Sequence, residues 1–180
     1  MEARNAKIAQ QRVQLRASLW PDVTPEMLWH RKRSQGFVTI PRTMPLIINI
    51  IDSLTPKGKP VGSTYLDLWC RAFDEMIVNL DKQREMAFAA GFTGQRGVQT
   101  WSGRIDILSR LGFIRLAPGS SGPRSYALIL NPYAVIKNRR QKIEKSLYNV
   151  LADRAAIVKA DDLSDKPAIP TVLPPPAAAA

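Results

Sequence analysis

Cysteine and histidine are nearly missing from this chain of 180 residues, which has one of each, Cys70 and His30. A single thiol allows no internal disulfide. One Cys and one His cannot complete a zinc site built from those residue types alone, so no metal is expected. His30 stands beside Arg31, Lys32 and Arg33, and neighbouring cations make it a poor general base. Long apolar runs are also missing. The most apolar stretch, 45–51, is far shorter than the roughly 20 residues of a membrane span. The N-terminus is polar and basic, without the apolar centre of a secretory signal. These absences predict a protein of a reducing cytoplasm, with no membrane partner.

The motifs of common enzymes are absent as well. There is no dinucleotide fingerprint and no nucleophile elbow. Gly58-Lys59 is not a phosphate-binding loop, because it lacks the earlier Gly and the Ser or Thr after Lys. No enzymatic role and no cofactor are expected. The one opening for catalysis is a carboxylate cluster that Asp52 or Asp106 would join in space.

Acids are in short supply: 15 Asp and Glu against 26 Lys and Arg, a formal net charge of +11. A polyanion is the partner this implies. The excess is unevenly spread. Residues 44–80 are nearly neutral, while 1–43, 81–132 and 133–160 are each basic. A buried core element between charged surfaces has this pattern. Hydrophobic residues make up 45% of the chain, enough for a folded core.

Residues 2–19 read as a helix carrying Arg4, Lys7, Arg12 and Arg16 at spacings of three to five, ended by Pro21. Thr24-Pro25-Glu26 looks like the cap of a short helix running into Arg31, Lys32 and Arg33, three candidate phosphate contacts. Residues 36–40 suit a short strand. Residues 45–54 suit a compact apolar helix, and 55–62 a loop. A core-facing helix is expected over 63–80, with Leu66, Trp69, Cys70, Phe73, Met76, Ile77 and Leu80 on its buried stripe.

Gln83–Ala90 reads as a helix of about two turns, stopped by Gly91. Ala87 is small where a second helix must cross. Phe92 plugs the core after the turn, and Thr93 can cap the next helix, expected over 95–111 and ended by Gly112. That helix buries Val98, Trp101, Ile105 and Leu108. It leaves Arg96, Gln99, Thr100, Gly103, Arg104 and Arg110 for other uses. Arg and Gln are the side chains with bidentate access to guanine and adenine edges. Next comes a hairpin over 113–130, with alternating strands around an expected loop 117–124.

The stretch 83–101 resembles the winged helix-turn-helix superfamily, matching its pattern at Gln83, Ala87, Gly91, Phe92 and Thr93. Val98 and Trp101 come about one residue late, and Gly97 stands where an aliphatic residue is usual. This implies a longer turn or a re-angled second helix. The resemblance implies a mainly α fold with a small β-hairpin wing, a winged helix-turn-helix with added N- and C-terminal basic helices. It also implies that helix 95–111 docks in the major groove of double-stranded DNA. Arg96, Gln99, Thr100, Arg104 and Arg110 would then contact DNA from the helix, Arg115 from the strand and Arg124 from the wing tip. The architecture is also similar to the winged domains of plasmid replication initiators. A transcriptional regulator, nucleoid-associated when bound, is the leading expectation. A replication or maintenance protein of a mobile element and a protein-interaction module are the alternatives.

Asn131-Pro132 reads as a cap before a long basic helix to about residue 159. Ile136, Ile143, Val150 and Ile157 fall seven apart, a weak heptad that would either pack on the winged domain of the same chain or pair with a second copy as a homodimer. From residue 161 the composition turns Pro- and Ala-rich, as expected of a disordered tail. The expected organisation is therefore a basic extension 1–35, a winged domain 36–131, a basic helix 132–160 and a tail 161–180.

Overall fold

The computed structural model describes residues 2–163, with side chains from residue 6 onward. The chain divides into two compact units, residues 1–37 and 38–180. The expected tail lies outside the described residues from 164 onward.

The first unit begins with α1 (Glu2–Leu19), whose described side chains are almost all exposed. Val13, Leu15 and Leu19 all face solvent. Residues Pro25–Met27 form one 3-10 turn, shorter than the helix expected there, and Thr24 makes no side-chain cap bond to its backbone. The Arg33 guanidinium donates to the Pro25 carbonyl and lies 3.9 Å from the Glu26 carboxylate. The strand expected at 36–40 does not form; its apolar residues Phe37, Val38 and Ile40 stay exposed.

The second unit opens with α2 (Met44–Ser53), which buries Met44, Ile47, Ile50 and Ile51 at helical spacing. Thr43, before it, is fully buried and pairs its hydroxyl with Tyr133. Asp52 near the end of α2 accepts from the backbone N–H groups of Val61 (2.7 Å) and Gly62 (2.8 Å). These are orphan donors at the start of α3 (Gly62–Arg71). A carboxylate from the preceding helix thus caps α3, and it closes the 55–61 loop.

The helix expected over 63–80 is cut short. It ends at Arg71, and after a turn in which Met76 takes φ 57 the chain forms β1 (Ile77–Asn79). Ile77 and Val78 are β-branched and favour the extended form. Met76 and Leu80, four apart, fit helical spacing as well as the alternation of a strand, so local pattern does not separate the two. Three stripe residues are corrected with it: Cys70, Phe73 and Ile77 are exposed, Phe73 at 80%.

Next come α4 (Gln83–Ala89) and α5 (Gly97–Leu111), which pack against each other. Gly91 turns the chain with φ 91, a region that disfavours side chains. The Phe92 N–H then returns to the Ala87 carbonyl at 2.8 Å. The second helix starts at Gly97, later than Thr93, because a further turn joins Gly94 to Gly97 (2.8 Å). A Cβ on Gly97 would strike the backbone carbonyl of Phe92. This contact requires glycine where an aliphatic residue is otherwise usual. The longer turn read from the late Val98 and Trp101 is this segment.

Strands β2 (Ile114–Gly119) and β3 (Gly122–Ile129) make a hairpin, and β1 adds to its far side. The result is a three-stranded antiparallel sheet in the order β1-β3-β2. Val78 pairs with Ala127, and Arg115 with Leu128. Residues 117–119 and 122–124 belong to the strands, not to a loop, and the turn is Ser120-Ser121 alone. Arg124 therefore sits in β3 and not at the tip.

The long helix expected over 132–159 is two helices. α6 (Pro132–Asn138) is capped as foreseen, with Asn131 accepting from Tyr133 N–H at 2.9 Å. A 3-10 turn (Arg140–Lys142) follows, then α7 (Lys145–Val158), which packs on α2. A straight helix over 132–159 would run about 42 Å, and the break lets Ile136, Ile143 and Leu151 all enter one core. Arg139 marks the break. Its guanidinium donates to the carbonyls of Leu111 (2.8 Å) and Arg110 (3.1 Å) at the end of α5, where the helix dipole favours a cation. Ile136 and Ile143 are buried within the chain while Val150 and Ile157 face solvent, so the four do not form one dimer seam. The next residues, Asp161–Leu163, form a 3-10 turn in which Asp162 accepts from Asn131, so the expected tail does not begin at 161.

Trp101 is 2% exposed at the centre of the core. Trp101→Ala is expected to cost about 3–5 kcal/mol, read as a lower denaturation midpoint. Gly97→Ala should cost about 1–3 kcal/mol by overpacking. Gly103→Ala, where a Cβ meets nothing within 4 Å, should stabilise by up to about 1 kcal/mol. Equal effects from the two glycine substitutions would contradict the packing described.

Candidate nucleic-acid interface

The phase of α5 decides what it offers to solvent. Trp101, Ile105 and Leu108 point into the core. Successive residues turn by about 100°, so Gln99, Gly103, Asp106 and Arg110 form the opposite, outward stripe. Gln99 and Arg110 are exposed and Asp106 half-exposed. Gly103 leaves bare backbone in the middle of the stripe, with open space where a Cβ would be. Arg96, exposed at the N-cap, extends the stripe toward the turn. From Arg96 to Arg110 the rise is about 21 Å, so these two cannot serve the same few base pairs.

Two elements flank this stripe. On one side lies the 55–61 loop. Pro56, Gly58 and Lys59 line a shallow groove with Thr100, Gly103 and Ile107 of α5. On the other side Arg124 of β3 reaches across to α5. Its guanidinium lies 2.8 Å from the Asp106 carboxylate and donates to the Ser102 hydroxyl at 2.9 Å. The single acid on the stripe is thereby neutralised.

The ten candidate contacts separate into groups. Arg96, Gln99 and Arg110 share the outward stripe. Thr100 lies beside it, half-buried on the loop side. Arg104 points toward the turn, its guanidinium 5.8 Å from the centre of the Phe92 ring, and so packs against the protein. Arg124 is spent on Asp106 and Ser102. Arg115 stands apart, lining a depression with Asn138 and Arg139 near the other end of α5. Arg31, Lys32 and Arg33 belong to the first unit, and Arg33 is engaged there with Glu26.

Several residues at this face were not foreseen in the sequence. Lys57 and Lys59 are exposed on the 55–61 loop, and the Asp52 clasp holds that loop with Lys59 beside α5. Ser102 and Asp106 hold Arg124. Phe88, 69% exposed, lines a second hollow with Arg84 and Gln95 at the turn. No local motif marks any of them, since each depends on contacts between distant segments.

The remaining electrostatics are structural. The Ser121 hydroxyl and the Asn79 side chain hold the Asp81 carboxyl below the usual Asp range, tying the hairpin turn to the start of α4. Burial pushes the Tyr65 phenol up to about 12. Among the described residues no three His, Cys, Asp or Glu gather closely enough to hold a metal ion. No helix there is long and apolar enough to cross a membrane.

Compared with known proteins, the chain matches no family model, no curated protein and no solved structure.

The Arg124–Asp106 pair is roughly 40% exposed on each side. Exposed pairs contribute little, so a double-mutant cycle on Arg124→Ala and Asp106→Ala should return a coupling of at most about 1 kcal/mol in stability. For Asp81, the depressed folded value means that its contribution is full above the ordinary Asp range and is lost as pH falls through the lowered value. An NMR titration should therefore give Asp81 a midpoint below that of a free Asp. Ser121→Ala should raise that midpoint, and an unchanged midpoint would remove Ser121 as the cause.

Proposed function

We propose that this chain is a duplex-DNA-binding protein of the winged helix-turn-helix kind, acting as a regulator of transcription. The observation that carries the reading is the order of elements. β1, the α4–turn–α5 pair and the β2–β3 hairpin follow one another, and the sheet closes as β1-β3-β2. In that order the hairpin follows the second helix as a wing would, and Gln99 and Arg110 on the outward face of α5 are left exposed.

The mechanism follows from the chemistry of that face. A helix about 10–12 Å across fits a major groove about 12 Å wide. Arg96 and Gln99, near the N-terminus of α5, are the base-reading pair. Arg offers two donors to the O6 and N7 of guanine, and Gln pairs in bidentate fashion with adenine. Bare backbone at Gly103 allows the groove floor to come close. Arg110, about 17 Å further along the helix from Gln99, meets a phosphate outside the read base pairs. Arg124 acts through Asp106. By neutralising that carboxylate it removes a repulsion between α5 and the phosphates, and so its role is one of positioning.

The net charge of +11 supports a polyanion as the ligand. A replication or maintenance protein of a mobile element would use the same contacts, and the genomic position of the recovered site separates that role from regulation.

Selection from a random duplex pool at several salt concentrations is the direct test. An enriched motif is expected, with Gln99→Ala relaxing preference at one position by about 1–3 kcal/mol. Arg124→Ala should weaken binding to every sequence, and Arg124→Ala with Asp106→Ala should restore part of that affinity. Retention of no duplex at low salt would sink the reading.

A further inference from the structure

The 55–61 loop has no role in the fold that explains its lysines. It is anchored at both ends. Thr55 Oγ1 donates to the Asp52 carbonyl at 2.7 Å, and Asp52 Oδ1 takes the N–H groups of Val61 and Gly62. Within it the Lys59 N–H closes a turn onto the Pro56 carbonyl at 3.0 Å. Pro56 and Pro60 further restrict the backbone. A loop held this firmly presents its side chains from a fixed place. Lys57 and Lys59 are exposed there, and neither pairs with a carboxylate among the described residues.

The position of the loop is specific. It borders α5 on the Thr100–Ile107 side. Arg124 borders the same helix on the Ser102–Asp106 side. With about 100° per residue, these two sides flank the outward stripe from opposite directions. A helix lying in a groove of a duplex has one sugar-phosphate backbone on each side. A single strand offers only one.

We propose that the 55–61 loop is a second phosphate-gripping edge. In this arrangement Lys57 and Lys59 contact the backbone on the side of α5 opposite the hairpin, so that the site clamps both strands of a duplex. The proposal rests on the reading of α5 as the groove-entering helix, and it adds a partner element that the helix and wing do not supply. Lysine suits the task, being a flexible point charge able to follow a phosphate without reading bases.

The test uses the full chain carrying Lys57→Gln and Lys59→Gln, with Gln99→Ala as a separate variant. Each is titrated against the selected duplex, a random duplex and the single strand of the selected site, over a series of salt concentrations. Thermal melts confirm that the exposed substitutions leave the fold intact. The lysine double variant is expected to bind the duplex with a salt slope shallower by about 0.9 for each phosphate left without its lysine. Its preference between the two duplexes should be unchanged, and its slope on the single strand should change less. A duplex slope equal to the wild type, while Gln99→Ala still alters preference, would overturn the loop's role and leave the α5 reading standing. Loss of base preference in the lysine variant would overturn the backbone assignment. Wild-type protein that binds no duplex would remove both.

Discussion

The arrangement depends on one backbone contact, that of Gly97 with the carbonyl of Phe92. It lets the start of α5 press against the turn that leaves α4, with no side chain between. That contact sets the phase of α5. Because each residue turns the helix by about 100°, a start displaced by one residue would rotate every later side chain by that amount. With Gly97 in place, Trp101, Ile105 and Leu108 enter the core and Gln99, Gly103, Asp106 and Arg110 leave it. The chemistry available at the surface is therefore a consequence of where a single Cβ is missing.

The charged side chains divide into those spent on the fold and those left over. Arg139 satisfies two carbonyls at the end of α5, Asp52 satisfies two N–H groups at the start of α3, and Arg71 bridges Asp67 and Glu85. Arg104 lies over Phe92, and Arg124 neutralises Asp106. The bases on α5 and on the 55–61 loop beside it with no carboxylate partner among the described residues are Arg96, Arg110, Lys57 and Lys59. A net charge of +11 says that bases are in excess, and the ion pairs decide which of them remain available.

Much of the central segment was legible in the sequence. Gly91, Phe92 and the spacing of Trp101, Ile105 and Leu108 were enough to find α4, the turn and α5. The Asn131 cap was legible because capping is local. The failures share one cause, competition between local pattern and distant partners. Met76 and Leu80 fit both a helix and a strand, and the free side of β3 drew Ile77–Asn79 into the sheet. Ser120-Ser121 became the whole hairpin turn because the strands pair further than their composition suggests. The break after Asn138 has no Gly or Pro to announce it. It exists because Arg139 finds carbonyls of α5, and because α7 finds α2.

By itself, the amino-acid sequence determined which segments are amphipathic, the Gly91 turn and the Asn131 cap, and that the chain carries an excess of positive charge. These properties belong to single residues and to neighbours within a few positions. The tertiary structure alone decided which bases are free, which side of α5 faces outward beside Lys59, and that Arg124 stands in a strand against Asp106. Those outcomes depend on pairs far apart in the chain, such as Asp52 with Val61, Ser102 with Arg124 and Leu111 with Arg139. Contacts across such separations form only when the core closes and brings the segments within hydrogen-bonding reach.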